Sequence, residues 1–234
     1  MRLCARGSRQ RLYGGLADRP VTGVLLVGGA SRRFGSPKAL AKLGEESLAE
    51  RGWRILGEAC DERIAVGKVA DGLDLPFPIL DDGTDVRAPI AGVIAGLRAA
   101  SYHWAVFLPV DAPLITAKAL DRLASACLDA AVTQRGPLPG AFSKGALPVL
   151  EDRLARGELT LKDAAEELDA RVVEIDPRLL VNVNTREDLR AIRLWPGPER
   201  RTLRQRLALG PLSYTLLVLV ASAVVFGLWR WVAG

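Results

Sequence analysis

The sequence predicts a three-layer α/β fold, in which a mostly parallel, Rossmann-like sheet is covered by helices on both faces. Short apolar runs alternate with longer amphipathic segments between residues 20 and 194. This alternation is typical of strands and helices in a parallel sheet. The chain has 234 residues, 49% of them hydrophobic and 25% charged. It is therefore long enough for one such domain with additional segments at its ends.

The strands are predicted from apolar runs that end in turn-forming residues. The first run is followed directly by Gly28 and Gly29, which allow the backbone to turn sharply. The predicted strands are 21–27, 64–66, 78–80, 105–109, 131–133, 171–175 and 181–183. Ligands bind at the carboxyl ends of the strands in such sheets, so the glycine loop marks the edge at which we expect a functional site.

The helices are predicted from the amphipathic segments between these strands. Their predicted bounds are 47–59, 90–100, 116–128, 147–155, 161–168 and 185–194. Thr116 can cap the third helix, and Thr185 with Asp188 forms a sequence typical of a capping box at the start of the last. The spacing of Gly92 and Gly96 predicts close packing of the second helix against its neighbours.

Positive charge is concentrated at the two ends of the chain. Residues 1–19 and 195–234 each carry a net charge of +4, so residues 20–194 carry −3 of the total +5. A domain with this charge is not expected to bind nucleic acid. We predict a disordered basic arm at 1–19, the α/β domain at 20–194 and a basic linker at 195–210.

An uncharged, apolar run at 212–229 predicts a transmembrane helix over residues 211–233, because about 20 apolar residues cross a bilayer. Aromatic residues lie near both ends of this run, as they do at membrane interfaces. Four arginines precede it and one follows it. This asymmetry predicts a tail anchor that holds the α/β domain at the inner, cytoplasmic face of the cell membrane. A buried core helix is the alternative interpretation.

The segment 24–40, VLLVGGASRRFGSPKAL, joins a strand to a glycine loop that carries three cations. Such a loop is suited to polyanionic ligands, above all phosphates. It contains neither the Gly-Lys-Ser/Thr of a Walker A loop nor the G-x-G-x-x-G of a dinucleotide site. Pro37 stiffens the backbone before Lys38, which would then serve as a point charge for a phosphate. A glycine-rich turn with solvent-facing arginines is the alternative.

Asp111 follows the predicted strand 105–109, which should lie beside the first strand. Its carboxylate is therefore expected to face the glycine loop across the edge of the sheet. Magnesium binds to one or two carboxylates together with substrate phosphates, so one such aspartate is sufficient for a Mg²⁺ site. An aspartate after a strand is usually a turn residue or a helix cap, but Thr116 already supplies the cap here.

Two further segments place polar side chains at the same predicted edge. Asp81 and Asp82 follow the strand 78–80, and one of them is expected to accept hydrogen bonds from a guanine base or a ribose; a solvated turn is the alternative. Asn182 and Asn184 lie in the segment VNVNT, and their amides are suited to orienting a phosphate, a sugar or metal-bound water.

Several other kinds of site are excluded by the sequence. His103 is the only histidine, and the chain has no G-x-S-x-G nucleophile elbow, so a Ser/His/Asp hydrolase is not expected. The three cysteines have no metal-ligand spacing, which argues against a zinc site and a disulfide framework. A reduced compartment is the natural environment for such a chain.

These segments, in this order, resemble the molybdenum cofactor guanylyltransferase family, within the MobA-like nucleotidyltransferases. The family's loop is L-x-G-G-x-S-x-R-[MF]-G-x-x-K, and LVGGASRRFGSPK matches it throughout. VDAP and VNVNT match the family's C-D-x-P and N-x-N-T segments. The likeness covers about residues 21–193 and implies a sheet of the nucleotide-diphospho-sugar transferase type.

The resemblance implies Mg²⁺-dependent transfer of GMP from GTP to Mo-molybdopterin, with release of pyrophosphate. It implies Mg²⁺ on Asp111 and catalytic roles for Arg33, Lys38 and Asp111. The nucleotide contacts that it implies are Leu26, Val27, Gly28, Gly29, Lys38, Gly67, Asp82 and Asp111. Molybdoenzymes or other proteins of the cofactor pathway are the partners that it implies.

The sequence departs from the family pattern at three places. Val110 replaces the usual cysteine, Gly67 replaces an asparagine of some members, and the acceptor-side segment 135–144 lacks the common histidine or tyrosine. Cytidylyl transfer to the same cofactor and nucleotidyl transfer to another phosphorylated acceptor are therefore alternatives. A non-catalytic, membrane-tethered module that binds the nucleotide or the cofactor is the alternative of another class.

Overall fold

The computed structural model describes residues 19–28 and 34–194. The strands are β1 (Val21–Leu26), β2 (Lys42–Leu43), β3 (Glu46–Ser47), β4 (Glu62–Gly67), β5 (Ile79–Asp81), β6 (Trp104–Pro109), β7 (Ala130–Thr133), β8 (Gly136–Ser143) and β9 (Arg171–Val173). The helices are α1 (Leu48–Ala59), α2 (Pro89–Ala99), α3 (Ala117–Ala126), α4 (Leu147–Ala155), α5 (Leu161–Glu167) and α6 (Arg186–Leu194).

Seven of these strands form one sheet in the order β5-β4-β1-β6-β8-β7-β9. β8 is antiparallel to both of its neighbours, β6 and β7, and the other pairs are parallel. The mostly parallel α/β sheet expected from the sequence is thus confirmed. β2 and β3 form a separate two-stranded hairpin.

β1 lies at the centre of the sheet, and all six of its residues are buried. Such burial is expected of a strand with both edges paired and both faces covered. Alternate side chains point to opposite faces, so Leu25 packs in the layer of α1, α3 and α6, whereas Val24 packs in the layer of α2, α4 and α5. Helices therefore cover both faces of the sheet.

The predicted close packing of α2 is confirmed at its second glycine. A Cβ atom at Gly96 would lie 2.8 Å from Cγ1 of Val24 and 2.8 Å from Cε1 of Phe107. Real Cβ atoms do not approach other heavy atoms this closely, so only glycine allows the helix to lie against β1 and β6 at this distance.

The expected cap of α3 is also confirmed, because the Thr116 hydroxyl accepts a hydrogen bond from the Ala119 N–H. α1 begins with a complete capping box. Ser47 Oγ accepts from the Glu50 N–H at 3.1 Å, and Glu50 Oε2 accepts from the Ser47 N–H at 2.7 Å. The Ser47 backbone N–H is the main reason why the pKa of Glu50 is lowered to about 2.

Three features of the sheet differ from the expectation. The segment 181–183 is not a strand; its backbone instead bonds to the turn after β6, where the Val183 N–H donates to the Asp111 carbonyl at 2.8 Å. β8 was not predicted, because two prolines and two glycines interrupt its apolar pattern. The hairpin of β2 and β3 was also missed, since each of its strands has two residues.

Among residues 19–28 and 34–194, no helix has the length and apolar character needed to cross a membrane. The predicted transmembrane helix at 211–233 lies outside the described residues, as do the linker and most of the basic arm. The anchor therefore stays a prediction.

Candidate active site

The carboxyl ends of β5, β4, β1 and β6 lie side by side along one edge of the sheet. Leu26 pairs with Val66 on one side and with Pro109 on the other. Gly67 pairs with Asp81 on β5. The residues that follow these strands, including Gly28, Asp82 and Asp111, therefore lie along the same edge, as expected for a parallel sheet.

Two glycines meet at this edge and form a surface without side chains. A Cβ atom at Gly28 would lie 3.7 Å from the Cα of Gly67. A Cβ atom at Gly67 would lie 2.8 Å from Cγ2 of Val27 and 3.4 Å from the nitrogen of Gly28. The asparagine found here in some family members would therefore require Val27 to move. The paired glycines leave room for a ligand to approach the backbone of both strands.

The glycine loop is described from Phe34 onward. We expect Gly29 to contact the nucleotide and Arg33 to act in catalysis. Both lie in the segment 29–33, outside the described residues. Phe34 is buried, and its carbonyl accepts a hydrogen bond from Nε of Arg186 at 3.3 Å. The end of the loop is thereby attached to the start of α6.

Lys38 lies between two polar side chains that the sequence places far apart. Its Nζ donates to Oδ1 of Asn184 at 2.9 Å and lies 3.7 Å from Oδ2 of Asp111. The side chains of Lys38 and Asp111 are only 16% and 28% exposed. The glycine loop, the turn after β6 and the segment before α6 therefore meet at one ammonium group.

Burial raises the pKa of the Asp111 carboxyl above its ordinary value, although the ammonium of Lys38 opposes this shift. A carboxylate in this environment gains stability when positive charge is added beside it. The raised pKa therefore reflects a buried carboxyl group that the ammonium of Lys38 compensates only in part.

The segment before α6 is held by a capping box, as the sequence predicts. Oδ2 of Asp188 accepts hydrogen bonds from the N–H groups of Asn184 and Thr185, both at 2.8 Å. The Thr185 hydroxyl accepts from the Asp188 N–H at 3.1 Å. The N–H of Asn184 is the largest of the causes that hold the pKa of Asp188 below its usual range. The cap therefore orients the backbone of Asn184, whose side chain contacts Lys38.

Asp81 and Asp82 have different surroundings at the end of β5. Both oxygens of Asp81 serve the loops, since Oδ2 accepts from the Val69 N–H and Oδ1 from the Gly83 N–H, each at 2.8 Å. These bonds, the Val69 bond first, lower the pKa of Asp81. Asp81 therefore supports the backbone of the two surrounding loops.

Asp82 forms a buried ion pair that sequence reasoning missed. Its Oδ1 lies 2.5 Å from Nζ of Lys68, and the two side chains are 8% and 11% exposed. The same ammonium donates to the Thr84 carbonyl. The only sequence signal for this contact is that Lys68 and Asp82 each directly follow one of two adjacent strands.

The described part of the chain contains no group of three or more His, Cys, Asp or Glu residues that could hold a metal ion. Asp111 alone is a ligand suited to a hard divalent cation that takes its other ligands from substrate phosphates and water. Its burial and elevated pKa fit that role. A structural metal centre with a complete set of protein ligands is absent from the described residues.

Other chemically active residues lie away from this site. His103 precedes β6 and therefore lies at the opposite edge of the sheet. Cys60 and Cys127 form no disulfide bond in the part of the chain that the structure describes, and burial raises the pKa of Cys127 to about 12. Asn182 is exposed. Among residues 19–28 and 34–194, no hydrogen bond connects its side chain to the cluster of Lys38, Asp111 and Asn184, which we call the Lys38 cluster.

Residues 23–172 match the family described as MobA-like NTP transferase domain. A molybdenum cofactor guanylyltransferase from Pseudomonas putida is 32% identical over 188 residues, which cover 73% of this chain and 96% of that protein. The crystal structure of molybdopterin-guanine dinucleotide biosynthesis protein A from Archaeoglobus fulgidus has a TM-score of 0.62 and 24% identity, over 73% of this chain and 95% of that one.

A second solved structure shares the fold at lower identity. It is the 2-C-methyl-D-erythritol 4-phosphate cytidylyltransferase from Thermus thermophilus, with a TM-score of 0.57 and 17% identity over 74% of this chain and 97% of that one. The family model covers residues 23–172. This range includes the carboxyl ends of β1, β4, β5 and β6, the contact of Lys38 with Asp111 and the ion pair of Lys68 with Asp82. The chain thus belongs to the family of proteins with a MobA-like NTP transferase domain.

Proposed function

We propose that this protein is a guanylyltransferase that transfers GMP from GTP to the terminal phosphate of Mo-molybdopterin and releases pyrophosphate. The observation that carries the proposal is the contact of Lys38 with both Asp111 and Asn184 beside the paired glycines. Family membership and relatives named molybdenum cofactor guanylyltransferase support it. The strand ends supply a backbone surface for the nucleoside, and the Lys38 cluster supplies charge for the phosphates.

In this reaction an oxygen of the acceptor phosphate forms a bond to the α-phosphorus of GTP. The bond between the α-phosphorus and the bridging oxygen breaks, and its electron pair leaves with pyrophosphate. The acceptor oxygen is already anionic, so no strong general base is required. Rate enhancement then depends on positioning of the two phosphates and on stabilisation of the charge that develops on the leaving group.

The chain's own residues divide these tasks. Lys38 donates to phosphate oxygens, Arg33 adds a second positive charge, and Asn184 orients the lysine. Asp111 would hold Mg²⁺, which when bound neutralises phosphate charge as a Lewis acid. The backbone at Leu26, Val27 and Gly28 lies beside the nucleoside, with Gly67 and Asp82 on its far side.

The proposal is tested by pyrophosphate release from GTP in the presence of Mo-molybdopterin and Mg²⁺. Lys38→Ala and Asp111→Ala should each lower the rate by about 10²-fold or more, because each removes charge stabilisation at the reacting phosphates. Lys42→Ala is the matched control, since this exposed lysine pairs with Glu50 on the protein surface. Near-normal rates in both site variants would contradict the mechanism.

Cytidylyl transfer is the second candidate, because a cytidylyltransferase shares the fold. Each of the four nucleoside triphosphates should be incubated with the cofactor and the product identified by mass. Formation of the guanine dinucleotide supports the proposal, and formation of the cytosine dinucleotide supports the alternative. A protein that binds GTP without releasing pyrophosphate with any phosphorylated acceptor would be a binding module.

We also propose that residues 211–233 anchor the protein in the inner face of the cell membrane, so that the cofactor is completed there. The support comes from the uncharged run at 212–229 and from the arginines that precede it. Cofactor-pathway proteins or molybdoenzymes near that surface are the partners that this location would serve.

A further inference from the structure

The ion pair between Lys68 and Asp82 is the most buried pair of opposite charges at the sheet edge. The side chains of Lys68 and Asp82 retain 11% and 8% exposure, and Nζ lies 2.5 Å from Oδ1. Breaking such a pair leaves an uncompensated buried charge, which is strongly unfavourable. The pair is therefore a rigid feature, and it holds the Asp82 carboxylate in one orientation.

The two oxygens of Asp82 are used unequally. Oδ1 accepts from Nζ of Lys68 and from the Thr84 N–H at 3.3 Å. Among the described residues, no hydrogen bond reaches Oδ2. A carboxylate oxygen accepts about two hydrogen bonds, so Oδ2 retains the capacity to accept bonds from a ligand.

The position of Asp82 along the edge decides which part of a nucleotide it can reach. Asp111 follows β6 and Asp82 follows β5, and β1 and β4 lie between these two strands. The two carboxylates are thus separated by three strand spacings, about 14 Å. In a nucleoside triphosphate the base lies at the end opposite the phosphates. With the phosphates at Lys38 and the ribose over the paired glycines, the base edge falls at Asp82.

We infer that Lys68 is a positioning residue for nucleotide selection, which holds Asp82 so that Oδ2 accepts a hydrogen bond from the exocyclic amino group of guanine. This inference rests on the proposed function and adds to it a residue that selects the base. A carboxylate accepts from the adjacent N1–H and N2–H₂ groups of guanine, whereas the single amino group of cytosine lies beside the acceptor N3, which would repel the carboxylate.

The test is direct binding of GTP and of ITP, which lacks the exocyclic amino group, each with Mg²⁺ and without an acceptor. We expect the wild-type chain to bind GTP about tenfold or more tightly than ITP, because a hydrogen bond to a charged group is lost with ITP. In Lys68→Met the affinity for GTP should fall about tenfold, and the ratio of the two affinities should approach one. Lys68→Arg retains the ion pair and should retain the ratio.

Arg87→Met is the matched control. It removes an exposed ion pair with Asp71 near the same loops and should leave both affinities unchanged. Asp82→Asn keeps the shape of the side chain, so it tests the same oxygen if Lys68→Met does not fold. In Asp82→Asn the ratio of the affinities for GTP and ITP should also approach one.

A purely structural role for Lys68 would weaken GTP and ITP equally and leave the ratio intact, and that result would overturn the inference. Equal affinities of the wild-type chain for the two nucleotides would overturn it as well, since Asp82 would then contact the ribose or no ligand. If the predicted ratios are found but no pyrophosphate is released with Mo-molybdopterin, the transfer reaction fails and the role of Lys68 stands.

Discussion

At the scale of single residues, the charged form of the buried Asp111 carboxyl group is costly to the fold. Its pKa is raised because the carboxyl group is largely buried, and the nearby Lys38 compensates only in part. The protein therefore favours a neutral group at this position. The same preference makes the carboxylate a good partner for an added positive charge.

Asp111→Asn should raise the melting temperature by a few degrees at pH 8 while abolishing transfer, a common exchange of function for stability. The gain has a defined pH dependence. Because the folded pKa lies above the ordinary value, the wild-type carboxyl costs no stability below that value, and the cost develops as pH rises through the folded pKa. The difference in melting temperature between the two proteins should therefore shrink towards zero in acid.

Thermal melts at several pH values without divalent cations provide the measurement. Asp152→Asn is a suitable control, because this exposed aspartate pairs with Arg156 four residues later on the surface. A melting temperature of Asp111→Asn that is lower than that of the wild type at pH 8 would argue against the raised pKa.

Gly28 allows a test of the backbone surface that leaves the fold intact. A Cβ atom there would make only an ordinary contact, 3.7 Å from the Cα of Gly67. Gly28→Ala should thus change stability by less than about 0.5 kcal/mol. We expect its affinity for GTP to fall at least about tenfold, since the methyl group occupies the space in which the nucleoside approaches. Wild-type affinity would place the nucleoside elsewhere.

At the scale of elements, the start of α6 connects helix capping to the active site. Asp188 orients Asn184 through its backbone, and Asn184 in turn contacts Lys38. The helix itself packs into the core through Leu189 and Ile192. An element that stabilises the fold thereby also sets the position of a site residue.

Asp188→Ala should lower the free energy of unfolding by about 1 kcal/mol, as is usual for loss of a helix cap. It should also reduce the rate of transfer, because Asn184 is no longer oriented. The lowered pKa of Asp188 means that its stabilisation is present above the ordinary carboxyl pKa and is lost as pH falls through the lowered value. The two proteins should consequently become equally stable in strong acid.

Denaturant unfolding at several pH values measures the change in stability of Asp188→Ala. Rates of pyrophosphate release measure its effect on transfer. Glu187→Ala is the control. The carboxylate of Glu187 lies next to Asp188 in the sequence, is exposed and is only weakly paired with Arg190. If Glu187→Ala were as damaging as Asp188→Ala, the effect would belong to helix charge in general rather than to the cap.

The same scale shows why some elements were predictable and others were not. α1, α3 and α5 each bury residues spaced three or four positions apart, and this periodicity is present in the sequence. α2 is instead apolar along most of its length and buried over most of its surface. β8 lies between β6 and β7 although Pro137, Pro139, Gly136 and Gly140 interrupt it; the two neighbouring strands, rather than local propensity, determine its conformation. The segment 181–183 has the apolar alternation of a strand, but the Val183 N–H bonds to the carbonyl of Asp111 in the turn after β6.

In the active site, too, some contacts could be predicted from the sequence and others could not. The order of strand ends was enough to expect Asp111 opposite the glycine loop, because parallel strands end at one edge. The ion pair of Lys68 with Asp82 depends on the side-chain conformations of two neighbouring loops, and no spacing rule in the sequence specifies these. The distinction between Asp81 and Asp82 depends on backbone N–H groups that only the folded chain brings together.

At the scale of the whole molecule, the charge distribution separates a domain of net charge −3 from a C-terminal segment of net charge +4. If residues 211–233 span the membrane, the full chain should sediment with cell membranes and resist extraction by high salt. A chain cut before Pro211 should remain in the supernatant, because the apolar run is then removed.

A variant in which Arg200, Arg201, Arg204 and Arg206 are changed to glutamine separates electrostatic attachment from insertion. This variant should still sediment with membranes if the anchor spans the bilayer. A full chain that remains in the supernatant would overturn the anchor, and release of the arginine variant by salt would indicate surface attachment only.

The contact of Lys38 with Asp111 has a consequence for the order in which ligands enter. Nζ of Lys38 lies 3.7 Å from Oδ2 of Asp111, so a divalent cation held by that carboxylate would be repelled by the ammonium group. On the proposed mechanism a nucleotide would relieve this repulsion, because its phosphates would attract the ammonium and supply further oxygens to the cation. Mg²⁺ alone should therefore bind weakly, and Mg²⁺ should bind together with GTP.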